Sequence, residues 1–555
     1  MNRTILILLI LALGSGAWLG FENWRIKNHA QEEVLRPKFG GTYYRAILDM
    51  PTTMDPAFVT DTTSAELVAQ LYSRLLRMNV DMEVTNDLIR SMKISDDKRV
   101  YSFDLKEKVR FHTVTGDGQL SANRGRELVA EDVKYSMERL LNPAVNSPHR
   151  DLLRVVEGAD EFADSLADEV SGIRVLGRHK LEIRLKNPFS PFLSILTTPP
   201  LSIVAKEDVE KHGDSFKDNP VGSGSFIFDS LEPAKSLVLR SNLDYFRGRP
   251  YLDKLVFRVM PSDLKQYEEF RAGRIHHVTH MPAHRLKDAI KEGRYKFKET
   301  SSLETAYLGM NVEIPPFNNR DVRKALNYAI NKKLLVRYIK NNHGMVAKGP
   351  LPPEVPGYTH GVEPYPFLLR KAREHLLKAG YQFDSLGLVI DFPEIVLQTA
   401  LSEDTRAAAA AVQANLADLG IKLSLKFVSI GDHWQSVDAG TAPLFSAAWI
   451  ADYPDADAVL YYNFHSRNKG ISNSARYHNP EVDDLLVRAR EIGDSSQRNR
   501  LYNQIERIIV DDAPWIFLYY PTTYFLMQKS VHGLEICAFG GSEVDYYHVW
   551  LSDLR

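Results

Sequence analysis

The chain has 555 residues, 44% hydrophobic and 25% charged, an ordinary globular composition that is too long for one hydrophobic core, so we expect two or three domains. Its 69 Lys and Arg residues against 71 Asp and Glu residues leave a formal net charge of -2, so no basic excess exists to bind nucleic acid. The single cysteine, Cys537, excludes an intrachain disulfide, a lipoprotein anchor at the N-terminus and a metal site built on several thiolates.

Residues 1–21 have the pattern of an export signal. Asn2-Arg3 gives a positively charged start, residues 5–13 form an unbroken apolar run, and the small residues 14–17 follow. This pattern is typical of a cleaved signal peptide; the alternative is an uncleaved anchor, barely long enough to span a bilayer. We interpret residues 22–38 as a linker and expect the body outside the cytoplasm, either released or tethered to the membrane.

Alternating apolar residues predict several strands in the first half of the chain. They are expected near residues 42–44, 101–105, 181–185, 226–228, 237–239 and 255–259. Apolar residues at helical spacing predict helices over residues 64–78 and 129–141. The turn at residues 219–226 contains Gly222 and Gly224 and lacks the Lys-Ser/Thr ending of a phosphate loop, so we interpret it as a tight backbone turn.

Four histidines are the one group that suggests a metal: His276, His277, His280 and His284. A spacing of four can align ligands on a helix, but Pro282 interrupts that geometry. We interpret them as surface or packed histidines, and we predict no metal and no cofactor.

In the second half, helices alternate with strands, which is typical of an α/β lobe. Helices are predicted in residues 311–339 after a Pro-Pro turn, before Gly380, and over residues 405–419, 479–492 and 497–510. Strands are predicted over residues 421–427, 516–520 and 524–527.

The stretch from residue 445 to residue 464 combines acids with aromatic residues. Trp449 is followed by Asp452, Asp455 and Asp457, with three tyrosines and a proline among them. Acids beside aromatic faces suit a site for a cationic, partly apolar ligand. The alternative is a solvated acidic turn packed on core aromatics.

The order of the landmarks resembles the family 5 extracellular solute-binding proteins, the receptors of oligopeptide and dipeptide ABC importers. The matching segments are Gly40-Gly41-Thr42, Met54-Asp55-Pro56, residues 101–112, residues 130–139, residues 219–226, residues 311–331, Ala379-Gly380-Tyr381 and residues 448–456. No single segment is specific, but their order extends over about residues 39–550.

The resemblance implies an α/β, two-lobed periplasmic-binding-protein fold (type II, cluster C), with an extra inserted subdomain and a ligand cleft between the lobes. The implied divisions are a first lobe of residues 39–76, 206–300 and 516–555, an inserted subdomain of residues 77–205, and a second lobe of residues 301–515.

The implied function is capture of oligopeptides or dipeptides and their delivery to an inner-membrane ABC permease by a monomer. In peptide-binding members the aspartate at the position of Asp452 pairs with the peptide's α-amino group, and Trp449 and Tyr453 would line the pocket. Ala448 stands where the family has glycine, and Ser446 where some oligopeptide binders place a carboxylate-binding arginine.

Three alternatives stay open at this point. The ligand could be a non-peptide solute such as a metal complex, haem or a sugar. The protein could be a tethered receptor or a peptide chaperone without transport. The third alternative, an extracytoplasmic hydrolase, lacks a Gly-x-Ser-x-Gly elbow, a His-Glu-x-x-His motif and a cysteine nucleophile beside a base, so we predict that the chain is not an enzyme.

Overall fold

A computed structural model describes residues 36–116, 118–279, 281, 283–359, 361–401 and 403–553. The predicted signal or anchor over residues 1–21 and most of the predicted linker lie outside these residues. Within the described ranges, no helix combines the length and the apolar character needed to cross a bilayer.

Twenty-two strands, β1–β22, occur in the described residues. In chain order they are Thr42–Ile47, Leu76–Met78, Val84–Asn86, Ile89–Ile94, Val100–Leu105, Ile173–Gly177, Lys180–Arg184, Phe226–Glu232, Ser236–Ser241, Lys254–Val259, His277–Val278, Lys296–Ser301, Glu304–Met310, Gly344–Val346, Gln382–Phe383, Val389–Ile390, Ile395–Ala400, Leu423–Val428, Leu444–Ile450, Trp515–Met527, Val531–His532 and Trp550–Leu551.

Fifteen α-helices, α1–α15, accompany them in the same residues. In chain order they are Thr62–Leu71, Ala130–Leu141, Ala159–Ala163, Phe192–Ile195, Lys206–His212, Asp263–Arg271, Ala283–Glu292, Arg320–Ala329, Lys332–Leu334, Leu369–Lys378, Glu403–Ala417, Ile430–Asp438, Ala456–Phe464, Pro480–Glu491 and Ser495–Asp512. A π-helical turn, Leu335–Ile339, follows α9.

The strand β20 joins the two halves of a 12-stranded sheet. Ten of its strands follow the order β18-β17-β19-β13-β20-β11-β1-β10-β9-β8, and the other two, β12 and β14, each pair with β20. The first part of β20 pairs with β13 and the second part with β12. The sequence predicted two strands here, which is wrong: β20 is one strand of 13 residues. Pro521 lacks an amide donor, yet its carbonyl oxygen still accepts a hydrogen bond from the amide of Ser302 at 3.0 Å, so the chain stays extended through it.

The helix predicted over residues 64–78 ends early, at Leu71. The turn that contains Gly222 and Gly224 packs on this end, and the amide of Gly224 donates to the carbonyl oxygen of Leu71 at 2.9 Å. A Cβ on Gly222 would lie 2.1 Å from the same carbonyl oxygen. The two glycines therefore allow a close backbone approach that sequence periodicity does not reveal.

A separate antiparallel sheet of four strands, in the order β4-β5-β7-β6, lies within the predicted inserted subdomain. The chain that follows this sheet contacts the second half of the protein, because the amide of Ser190 donates to the carbonyl oxygen of Arg490 at 2.9 Å. The subdomain and lobe boundaries proposed from the sequence stay predictions.

Candidate functional site

The strand β19 carries the acidic stretch to the junction between the two halves of the sheet. The amide of Ala451, directly after β19, donates to the carbonyl oxygen of Leu303 at 3.0 Å. The amide of Leu303 in turn donates to the carbonyl oxygen of Ala538 at 3.1 Å. Residue 303 lies between β12 and β13, where the chain crosses from one half of the sheet to the other. Asp452, which directly follows Ala451, therefore stands at that crossing.

One edge of β19 is open near its end. The bond from Ala451 to Leu303 fixes the alternation of the antiparallel ladder, so the amides and carbonyls of Ala448 and Ile450 face away from β13. On that other side β17 pairs only with Leu444 and Phe445. Among the described strands none pairs with Ala448 there, and Ala448 is exposed. The edge can therefore accept one more extended segment.

Two of the three predicted acids are paired inside the protein. Asp455 caps the N-terminus of α13, accepting a hydrogen bond from the amide of Asp457 at 2.9 Å, and forms an ion pair with Arg498. Asp457 has no exposed side-chain surface, and its Oδ1 lies 3.0 Å from Nε of Arg490. Both acids hold the turn and α13 against α14 and α15, so their role in this structure is structural.

Asp452 differs from these two acids. It is exposed to solvent, and it has no hydrogen bond or ion pair with any residue in the described part of the chain. Even so, the protein around its carboxyl raises its pKa to about 6 by desolvation. Water therefore reaches this carboxylate, the protein around it disfavours its charge, and no cation among the described residues pairs with it.

The two aromatic residues predicted to line the pocket have different environments. Trp449 is partly buried, and its Nε1 donates to the carbonyl oxygen of Ala458 in α13 at 2.9 Å. Tyr453 is fully buried, and its hydroxyl donates to Oδ2 of Asp457 at 2.8 Å. In this structure Tyr453 presents no surface to a ligand; its place in a pocket stays a prediction.

Sequence reasoning missed Glu304. It is the first residue of β13 and pairs across the ladder with Ile450, so its side chain lies on the same face of the sheet as Ala448 and Ile450. Burial raises the pKa of the Glu304 carboxyl, and the charge of Lys340 opposes this shift. Only the register of β13 on β19 reveals its position, and no sequence pattern gives that register.

The open edge ends at Ser446. Its carbonyl oxygen accepts a hydrogen bond from Nε2 of His433 in α12 at 2.9 Å. Its hydroxyl donates to Oγ1 of Thr399 in β17 at 2.6 Å. The position at which the family resemblance suggests a carboxylate-binding arginine in some members therefore carries a hydroxyl that is already bonded.

Two of the four predicted histidines pack against the aromatic ring of Tyr43. His277 is fully buried, and its Nδ1 is 2.7 Å from the hydroxyl of Tyr43. Nδ1 of His276 accepts a hydrogen bond from the amide of Tyr44 at 2.9 Å. His280 and the side chain of His284 lie outside the description. Among the described residues, no group of three or more His, Cys, Asp and Glu side chains could hold a metal ion.

Two curated relatives match most of the chain. The chain is 28% identical to heme-binding protein A of Haemophilus influenzae over 93% of each chain. It is 28% identical to the probable di/tripeptide-binding protein 5 of Pseudomonas aeruginosa, over 87% of this chain and 90% of the relative.

Among solved structures, the ABC transporter-associated periplasmic binding protein DppA of Helicobacter pylori, in complex with the peptide STSA, matches with a TM-score of 0.79 at 27% identity. The match covers 93% of this chain and 99% of that one. This similarity confirms the predicted two-lobed α/β fold. A sequence model of the bacterial extracellular solute-binding proteins, family 5 Middle, matches residues 83–471. The chain therefore belongs to family 5 of the bacterial extracellular solute-binding proteins.

Proposed function

We propose that this protein binds peptides with a free N-terminus between its two lobes and delivers them to an inner-membrane ABC permease. It acts in the periplasm, released or tethered, and it catalyses no reaction. The observation that carries the proposal is Asp452, a solvent-reached carboxylate without a cationic partner among the described residues, directly beside the open edge of β19.

The chemistry of this arrangement suits a peptide. The α-ammonium of a peptide supplies the positive charge that Asp452 lacks, and a charge-assisted hydrogen bond strengthens when a closing site excludes water. The amide and carbonyl of Ala448 then pair with the peptide main chain as one more strand. Main-chain pairing is independent of side chains, so it supports binding of many sequences.

The related proteins support the same ligand class. The Helicobacter pylori structure contains a bound peptide, and the Pseudomonas aeruginosa relative is a probable di/tripeptide-binding protein. The Haemophilus influenzae relative carries the name of a haem binder, so haem is the competing ligand that an experiment has to include.

The test has two arms. In the first, native mass spectrometry of the protein purified from a peptide-rich host identifies the molecules that leave it. We expect short peptides with free N-termini. A haem mass alone, or another non-peptide solute alone, contradicts the proposal.

In the second arm, isothermal titration calorimetry compares trialanine with N-acetyl-trialanine, which lacks the ammonium. Asp452→Asn should weaken trialanine binding by about 2–4 kcal/mol and remove the preference for the free amine. Asp484→Asn is the matched control, because this aspartate is largely exposed on α14. Equal affinity of wild type and Asp452→Asn for trialanine removes Asp452 from the site.

A further inference from the structure

Four large apolar side chains are exposed at the end of the second-lobe strands. The exposed fractions are 55% for Leu401, 62% for Ile430, 38% for Trp434 and 51% for Ile450. We call this set the apolar rim. A contiguous group of exposed apolar side chains marks a surface that binds a ligand, a membrane or another protein.

The first pair of the rim lies on one face of the sheet. The parallel strands β17 and β19 run side by side, and the hydroxyl bond between Ser446 and Thr399 fixes their alignment. Leu401 is two residues beyond Thr399, as Ala448 is two residues beyond Ser446. Because side chains two residues apart share a face, Leu401 lies on the same face as Ala448 and Ile450.

The second pair lies on the opposite face. Ile430 and Trp434 are four residues apart in α12, so they occupy one side of the helix. The bond from His433 to the carbonyl oxygen of Ser446 holds this helix at the start of the open edge.

The core clusters show on which face of the sheet α12 lies. Val437 of α12 belongs to the same core cluster as Phe445, whereas Leu397 and Leu444 belong to the cluster on the other side of the sheet. The rim therefore flanks the open edge from both faces.

The charges beside the open edge are unfavourable to an acidic ligand side chain. Asp452 follows β19, and Glu304 lies opposite Ile450. The hydroxyl of Ser446 is already bonded to Thr399.

We propose that the apolar rim is the side-chain subsite of the peptide site and that it selects peptides whose second or third residue is apolar. This inference rests on the proposed function. An extended peptide whose ammonium meets Asp452 runs along the open edge at Ala448. Its successive side chains point to opposite faces, so each of them meets one pair of the rim. The occupant of the rim is thus the ligand itself, because the rim is continuous with the anchor and the edge.

Calorimetry on four free tripeptides tests the subsite: Ala-Leu-Ala against Ala-Asn-Ala, and Ala-Ala-Leu against Ala-Ala-Asn. Leu and Asn have nearly the same shape, so each comparison isolates apolar character. We expect wild type to bind at least one leucine peptide about tenfold more tightly than its asparagine partner, since burial of a Leu side chain gives roughly this factor. Equal affinities within both pairs overturn the proposal.

Trp434→Ser and Ile430→Ser then assign the preference to the rim. Each should reduce the leucine-over-asparagine ratio several-fold and weaken trialanine binding less than it weakens binding of the leucine peptide. Leu386→Ser is the matched control, because this leucine is 79% exposed in the β15–β16 hairpin that precedes β17. A ratio unchanged in both rim variants overturns the proposal, and so does an equal loss for trialanine. Failure of all tripeptides to bind wild type would contradict the proposed function, which separates the two claims.

Discussion

Asp457 and Arg490 form a buried ion pair, with 3.0 Å between Oδ1 and Nε and no exposed side-chain surface on the aspartate. The Arg490 guanidinium also lies 3.6 Å from the ring centroid of Tyr461 and 4.7 Å from that of Phe189. Phe189 follows the four-stranded sheet, whereas Asp457 follows the candidate anchor Asp452. One arginine therefore joins the turn beside the candidate ligand site to the predicted inserted subdomain.

Replacement of Arg490 should lower the free energy of unfolding of the protein. Arg490→Met leaves Asp457 buried without its counter-charge, which costs about 3–5 kcal/mol of the free energy of unfolding. Urea denaturation measures the loss. Arg488→Met is the control, because its 3.4 Å contact with Asp484 joins two largely exposed side chains and contributes less than about 1 kcal/mol. Similar losses in both variants would show that the burial of Asp457 does not govern the effect.

The hydroxyl of Tyr453 should act on stability through Asp457. Tyr453→Phe removes the 2.8 Å hydrogen bond to a fully buried carboxylate and should cost about 1–3 kcal/mol in urea denaturation. We expect peptide affinity to stay within about twofold, because the Tyr453 ring has no exposed surface. Tyr338→Phe, at a residue 67% exposed, is the control and should leave stability within about 0.5 kcal/mol. A large loss of affinity in Tyr453→Phe with unchanged stability would instead make Tyr453 a ligand contact.

Peptide affinity should depend on pH through Asp452, whose pKa is raised to about 6. An α-ammonium stays protonated below its own pKa of about 8, so between pH 5 and pH 7.5 the carboxylate of the free protein is the group that changes. Only the ionised form binds the ammonium. At pH 5 roughly one Asp452 in eleven is ionised, so the affinity should fall about tenfold from pH 7.5 to pH 5.

Calorimetry with trialanine at pH 5, 6 and 7.5 measures this fall in affinity. Asp452→Asn should show a nearly flat profile over the same range. A wild-type affinity that does not change with pH, or a variant with the same slope as wild type, would assign the pH dependence to another group.

The family and the fold class could be predicted from the sequence because they depend on local order, which also makes Asp452 a candidate. Motifs in a fixed order identify the family, and Asp452 stands at a fixed offset from Trp449. The paired state of Asp455 and Asp457 could not be predicted, because their partners Arg498 and Arg490 come from helices whose packing the sequence does not give.

The rest of the site depends on register between distant strands. Glu304 lies opposite Ile450 only because β13 pairs with β19 at that alignment, and Leu401 shares a face with Ala448 only because β17 pairs with β19 at Leu444 and Phe445. Periodicity predicts which residues of one strand share a face, and it contains no information about the neighbouring strand. The same limit explains why the early end of α1 could not be predicted. The helix ends where Leu71 contacts the loop at Gly222, which lies 151 residues further along the chain.

A last prediction concerns Glu506 in α15, which is 1% exposed. Its Oε1 accepts a hydrogen bond from the amide of Leu351 at 3.3 Å, and its Oε2 has no hydrogen-bond partner within the described residues. Burial raises its pKa to about 8. Because the folded state holds this proton more tightly than the unfolded chain, its contribution to stability is complete below the ordinary pKa of about 4.5 and is lost as the pH rises toward 8.

We therefore expect the free energy of unfolding to lose about 4 kcal/mol from this group between pH 4.5 and pH 8. Glu506→Gln keeps the shape and cannot ionise, so relative to wild type it should become more stable as the pH rises from 5.5 to 8. Urea denaturation at several pH values measures the difference between the two proteins. Glu354→Gln, at an exposed residue, should follow the wild-type curve. If the difference between wild type and Glu506→Gln stays constant with pH, Glu506 has an ordinary pKa and its carboxylate is ionised inside the protein.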